Sequence, residues 1–262
     1  MSDNPSIGSI VEVWHALENA QLFVEYQAVF DVETGAVRGG EALIRWDHPE
    51  LGVVLPEAFL GFALRDGLGR ALTEFVLHTA AGQCAAWRIQ GFDIPVSVNV
   101  SAAALTAHDL PALVDETLDQ HGIPADRLTL EITEHACEVQ NARLRSTVTA
   151  LARMGVRLSL DDFGTGDSSL SRLQQLHFDE VKIDRSFLAH VTDEPTDRNI
   201  VEFAAGLAHS LGMKVVAEGV ESEASLATVT ELGVDLVQGF LLHRPCGADE
   251  FPSAHLLERR AG

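Results

Sequence analysis

The chain has 262 residues, enough for one sizeable core, and its 46% hydrophobic and 22% charged residues are ordinary for a globular protein. A formal net charge of −21 repels DNA, RNA and anionic lipid, so neither a nucleic-acid polymer nor a membrane surface is an expected partner. No apolar run suits a bilayer, and the polar stretch 1–9 lacks the basic-then-apolar pattern of a secretory signal, so a cytoplasmic location is expected.

Residues 1–19 read as a short leader with a helix near 11–18, residues 20–255 as one domain, and 256–262 as a tail. Strand-like runs at 22–32 and 36–46 are joined by Glu33-Thr34-Gly35, a hairpin turn. A helical region spans 56–90, broken near Gly67. A strand at 95–101, a helix at 109–121 and a strand at 127–133 follow. Next come a helix at 138–154, a strand at 156–162, helical turns at 168–176 and a strand at 180–184. The helix 196–211, strand 214–218, helix 223–232 and strand 236–240 complete the pattern.

Strands alternating with helices predict a largely parallel sheet, and eight strands predict a TIM-like (β/α)8 barrel with one early antiparallel strand. An open doubly wound sheet is the alternative, but no Gly-rich dinucleotide fingerprint follows an early strand. Cys84, Cys137 and Cys246 are widely spaced without a CxxC pair, which predicts free thiols.

Strand side chains alternate between two faces. Glu41, Leu43 and Arg45 share one face, as do Ser97, Asn99 and Ser101, and Thr129, Glu131 and Thr133. Ser159 with Asp161, Lys182 with Asp184, and Val216 with Glu218 continue the row, and Gln238 ends it. The opposite faces are apolar and suit a helix layer. The polar faces would line the barrel, and the acidic groups sit near the C-terminal strand ends, where such barrels place chemistry. Glu41, Asn99, Glu131, Asp161, Asp162 and Glu218 are all oxygen donors, which suits Mg²⁺ or Mn²⁺ rather than zinc. Five carboxylates in one place repel one another, so two divalent cations are predicted. By strand parity Asp161 and Asp162 point apart. Both reach the site only if the strand ends there and Phe163-Gly164-Thr165-Gly166 forms a loop. The histidines form no HExxH pair; His48, His78, His108 and His135 read as surface or polar-contact residues. Lysine is scarce: Lys182 and Lys214 are the only two, and Lys182 lies on the carboxylate face.

Here the chain closely resembles the EAL domain. The residues that carry the resemblance are Glu41-Ala42-Leu43 with Arg45 and Trp46, Val98-Asn99-Val100-Ser101 and Leu130-Glu131-Ile132-Thr133-Glu134. Asp161-Asp162-Phe163-Gly164-Thr165-Gly166, Lys182-Ile183-Asp184, Ala217-Glu218-Gly219-Val220-Glu221 and Gln238-Gly239-Phe240 continue it, with Pro245 beyond. The resemblance implies hydrolysis of cyclic di-GMP to linear pGpG. It implies that Glu41, Asn99, Glu131 and Asp161 hold one cation, and that Asp161, Asp162 and Glu218 hold the second. It implies that Lys182 activates the attacking water, and that Glu218 and Glu221 belong to the catalytic set. Arg45 would hold a phosphate, while Gln27, Leu43, Asp184 and Gln238 line the nucleotide site. Glu134 and Glu221, with Phe163, Gly164, Thr165 and Gly166, would support the loop after Asp162. A homodimer is a further implication. Two positions depart from the family: Ala28 replaces the proline usual after Gln27, and Asp167 replaces a tyrosine. The alternatives to an active hydrolase are a cyclic di-GMP receptor without turnover and a protein-interaction domain that has abandoned the nucleotide.

Overall fold

Strand β1 (Leu22–Asp31) buries Leu22, Val24, Tyr26, Ala28 and Phe30 and pairs antiparallel with β2 (Val37–His48). The Asp31 carboxylate fixes the turn between them: Oδ1 accepts from Thr34 N and Oγ1, and Oδ2 accepts from Arg38. These coordinates come from a computed structural model that describes residues 10–107, 109–138, 142–165 and 176–252. Leader residues 1–9, the tail 256–262, His108, Gly166, Asp167 and the turns at 168–175 lie outside the described residues.

From β2 the sheet runs parallel through β4 (Val96–Asn99), β5 (Leu128–Thr133), β6 (Arg157–Phe163), β7 (Glu180–Ile183), β8 (Lys214–Glu218) and β9 (Leu236–Gln238). Strand β9 returns to β1 in antiparallel pairing and closes the ring. The predicted barrel, with one antiparallel strand, is therefore the observed architecture. An unpredicted short strand, β3 (Gly52–Val54), pairs only with the outer end of β2.

Helices cover the ring: α1 (Ile10–Glu18), α2 (Pro56–Arg65), α3 (Gly69–Ile89), α4 (Ala102–Thr106), α5 (Leu110–His121) and α6 (Ala142–Met154) come first. The short α7 (Arg185–Leu188), α8 (Pro195–Ser210) and α9 (Glu223–Glu231) follow. Sequence reasoning missed α4 and α7. Ser101, assigned by pattern to the preceding strand, caps α4 by accepting from Ala104 N, and Asp184 caps α7 by accepting from Ser186 N. The break at Gly67 is real; its φ of +98° suits glycine.

The core lies between sheet and helices. Leu128, Leu130, Ile132, Leu158, Leu160, Val181 and Val215 turn outward onto Leu77, Ala80, Val114, Val148, Leu151 and Ala204, and all of these are buried. Inside the ring, below the acidic layer, a cavity of about 490 Å³ is lined by Ser97, Thr129 and Glu180 and reaches Glu131 and Lys182. A barrel interior is normally filled with branched apolar side chains. This one stays polar and hollow.

Gly239 follows β9 where the chain turns, and a Cβ there would overlap the backbone of Val220. Backbone cannot yield as a side-chain tip can. Gly239→Ala is therefore expected to cost about 3 kcal/mol. Thermal unfolding should show this as a midpoint lower by roughly 6–12 °C. An unchanged midpoint would mean that the approach of β9 to Val220 is looser than described.

Candidate active site

The six predicted cation ligands lie on four parallel strands, on β2, and at the bulge in β6. Register brings their tips to one level: Gln27 stands opposite Glu41, Asn99 opposite Glu131, Thr133 opposite Asp161, and Glu218 opposite Gln238.

Lys182 projects from β7 into their midst and is 2% exposed. Its Nζ lies 2.6 Å from Glu218, 2.7 Å from Glu131, 3.3 Å from Glu41 and 3.6 Å from Asp161. Burial alone would lower the pKa of the ammonium. The carboxylates of Asp161, Glu131, Glu218 and Glu41 outweigh burial and hold its pKa well above the usual lysine range.

Glu41 is the hub of the hydrogen bonds. Its Oε1 accepts from Asn99 Nδ2 at 2.9 Å, and its Oε2 accepts from Gln238 Nε2 at 2.8 Å and from Lys182. Burial pushes the Glu41 carboxyl up, but Lys182 and these donors more than reverse that, so its pKa falls below the usual range. Glu131 goes the other way: burial, then the nearby Glu41 charge, raises it well above that range. Glu218 is pushed up to about 8 by burial, with Asp161 and Glu41 adding to the shift against Lys182. The folded protein thus keeps a proton on Glu218 that the unfolded chain releases near 4.5. This stabilises the fold at low pH and is lost as pH rises through about 8. Without metal, the melting temperature should fall between about pH 5 and about pH 8, and Glu218→Gln should flatten the slope. A wild-type melting temperature that does not fall over this range would contradict the charge balance described.

Asp161 and Asp162 correct the sequence reading. The strand does not end at Asp162; β6 continues to Phe163. Its register with β7 slips between Leu160 and Phe163, and Asp162 has a left-handed φ of +56°. A β-bulge, rather than a strand terminus, breaks the parity. Asp162 is half-buried and its pKa is raised by burial, then by Asp161 and Asp184. The following turn is pinned from β5: Glu134, buried, accepts from Gly164 N at 3.0 Å. Phe163 is buried, and Thr165 bonds back to the Asp162 carbonyl.

Arg45 is buried, with Nε donating to Glu25 at 2.8 Å and Nη1 to the Ile44 carbonyl. Glu25 was missed; its signal was a lone charge in an apolar strand. Gln238 Nε2 also donates to Gln27 Oε1 at 3.0 Å, and Gln27 Nε2 donates to the His243 carbonyl at 3.0 Å. Leu43 and Asn99 border an apolar cavity of about 490 Å³ whose walls include Pro56, Leu60 and Leu72. Two candidates make no bond to the Lys182 cluster among the described residues, although the Asp184 charge reaches Asp162. Asp184 spends its carboxylate on capping α7, and Glu221 is exposed in the turn after β8. Cys84 and Cys137 are buried, Cys246 is half-buried, and none of the three is in a disulfide. His48 accepts from the amides of Glu50 and Leu51, and His78 meets Thr117.

Among the described residues, no three acidic, histidine or cysteine side chains are already grouped around one cation position. The carboxylates turn to the Lys182 ammonium instead. The donor set nevertheless fits hard divalent cations: it is all oxygen, it converges, and burial together with neighbouring carboxylates raises Glu131, Glu218 and Asp162, which added positive charge would relieve.

The chain is thus a closed β/α barrel with acidic groups, one ammonium and one guanidinium at its C-terminal mouth. The family is shown directly: residues 11–245 match the EAL domain, and the chain belongs to that family. The match starts within α1, in the stretch that the sequence set apart as a leader. The chain is 39% identical over 236 residues to the bifunctional diguanylate cyclase/cyclic di-GMP phosphodiesterase MucR of Pseudomonas aeruginosa, covering 90% of this chain and 34% of that protein. It is 35% identical over 237 residues to the cyclic di-GMP phosphodiesterase PdeR of Escherichia coli, covering 90% of this chain and 36% of that protein. The chain thus spans about a third of the length of these relatives. Among solved structures, the PaMucR phosphodiesterase in complex with c-di-GMP superposes with a TM-score of 0.89 at 37% identity, covering 92% of this chain and 98% of that one. The EAL domain of Mycobacterium smegmatis DcpA superposes with a TM-score of 0.77 at 33% identity, over 92% and 98% of the two chains. Among the described residues no helix is long and apolar enough to cross a membrane.

Proposed function

We propose that this EAL domain is a metal-dependent phosphodiesterase that opens cyclic di-GMP to linear 5'-pGpG. One observation carries the reading: a buried ammonium held by carboxylates from four different strands at the chemical end of the barrel. A structural ion pair needs one partner. Four partners around one lysine make a site with negative charge in excess.

Glu41, Asn99, Glu131, Asp161, Asp162 and Glu218 would hold two divalent cations, Mg²⁺ or Mn²⁺. When bound, these supply a water acidic enough to attack at neutral pH and charge to balance the phosphate. Lys182 Nζ would orient the attacking water and favour its deprotonated form by attraction. Arg45, anchored by Glu25, offers its remaining N–H groups to a phosphate oxygen. Gln27 and Gln238 fix one another's amides and present the unpartnered, buried Gln238 Oε1 to a donor on the substrate. The apolar cavity beside Leu43 suits a nucleobase face. Glu134 holds the turn that carries Asp162. Pairing of two copies is part of the same proposal.

Incubation of the purified protein with cyclic di-GMP and Mg²⁺ or Mn²⁺ should yield pGpG, and a chelator should stop it. Binding without pGpG formation would defeat the hydrolase reading in favour of a receptor. Neither binding nor turnover would leave only an interaction domain.

A further inference from the structure

The barrel ring has one thin seam. Strand β1 meets β9 only at Phe30–Val237 and Asp31–Leu236. Further along the same edge it meets the segment after β9 at one bridge, Tyr26 to Cys246. Ala28 lies between these two points. Alternate residues of a strand send their backbone groups to alternate sides, so the Ala28 N–H faces this seam as the Tyr26 N–H does. Its partner across β2, Gly40, likewise turns its own N–H away, to Pro95. Ala28 is fully buried, and a buried N–H without an acceptor is costly.

The acceptor is a side chain. His243 Nδ1 takes the Ala28 N–H at 3.3 Å. The same residue's carbonyl takes Gln27 Nε2 at 3.0 Å. Gln27 Oε1 in turn receives Gln238 Nε2, which also donates to Glu41. One histidine therefore grips two consecutive residues of β1, and the first of them leads to Glu41 in two hydrogen bonds. With Nδ1 accepting, the ring proton sits on Nε2, which faces Cys246 Sγ at 3.7 Å. Burial favours this neutral form.

We infer that His243 is a positioning residue: its imidazole ties Ala28 into the seam and so keeps Gln27 and Gln238 in register with Glu41 for substrate binding. The kinetic part of this inference rests on the phosphodiesterase reading above. Proline, usual at this place in the family, has no N–H to offer. Alanine at 28 and histidine at 243 are thus complementary in this chain.

Two measurements test it on the same variants: amide hydrogen exchange at Ala28, and steady-state hydrolysis of cyclic di-GMP with Mg²⁺. His243→Ala should speed Ala28 exchange at least about 10-fold and raise KM roughly 5-fold, the scale of one lost hydrogen bond, with kcat changed less than about 2-fold. Asparagine places an oxygen near the Nδ1 position, so His243→Asn should restore both. In an Ala28→Pro background the donor is gone, and His243→Ala should then move KM less than about 2-fold. Unchanged exchange in His243→Ala, unchanged KM, or effects that simply add with Ala28→Pro would each overturn the inference. A wild-type protein that forms no pGpG would defeat the functional reading alone, while exchange at Ala28 would still decide the seam contact.

Discussion

Replacing Lys182 with methionine is expected to lower kcat by about 10²- to 10⁴-fold, the range for loss of a group that manages a proton in the transition state. The same change should destabilise the metal-free protein by about 3–5 kcal/mol, because it leaves buried carboxylates without their cation. Methionine fills nearly the same volume, so the effect isolates the charge. Glu41, Glu131, Asp161 and Glu218 would then face each other with no ammonium between them. Mg²⁺ or Mn²⁺ should recover part of the lost melting temperature in the variant. Melting curves with chelator and with metal, beside product formation by chromatography, read both effects. Turnover within about fivefold of wild type would remove Lys182 from the chemistry. A melting temperature unchanged in chelator would remove it from the charge balance.

Glu41→Ala should reduce turnover by about 10³-fold or more, equivalent to several kcal/mol of lost transition-state stabilisation. Glu41 receives Asn99, Gln238 and Lys182 at once. Its loss sets three donors free in the place where substrate must be aligned. Lys182 keeps Glu131, Asp161 and Glu218, so the circular dichroism spectrum should stay native. A folded Glu41→Ala protein with wild-type rates would refute the whole ligand assignment. Glu41→Gln is the sharper companion, since it keeps volume and one acceptor while removing the charge.

Much of this site was legible because strand parity is a strict rule. Glu131 with Thr129, Asp161 with Ser159, and Lys182 follow from counting by twos, and the structure turns Glu131, Asp161 and Lys182 inward to one another. Counting failed at Asp162, where one residue with left-handed backbone inserts a bulge that no alternation pattern encodes. It also failed at element ends. Ser101 fits a strand by composition and becomes a helix cap by hydrogen bonding. That the carboxylates gather near Lys182 was legible; which four reach its Nζ was not, because it depends on how the ring closes across its diameter. The seam contact of Ala28 with His243 joins residues 215 positions apart, and only the folded chain brings them together.

The left-handed backbone at Asp162 also restricts what can ever replace it. Aspartate, asparagine and glycine occupy that conformation at little cost, and most other side chains strain it. Under the proposed function, one position therefore answers to two demands, a carboxylate for a cation and a shape for the chain. Drift there has few exits, and each is informative: Asn keeps the shape without the charge, Gly keeps the shape without the donor, and Ala sacrifices both. A substitution that released the bulge and straightened β6 would turn position 162 back to the face opposite Asp161.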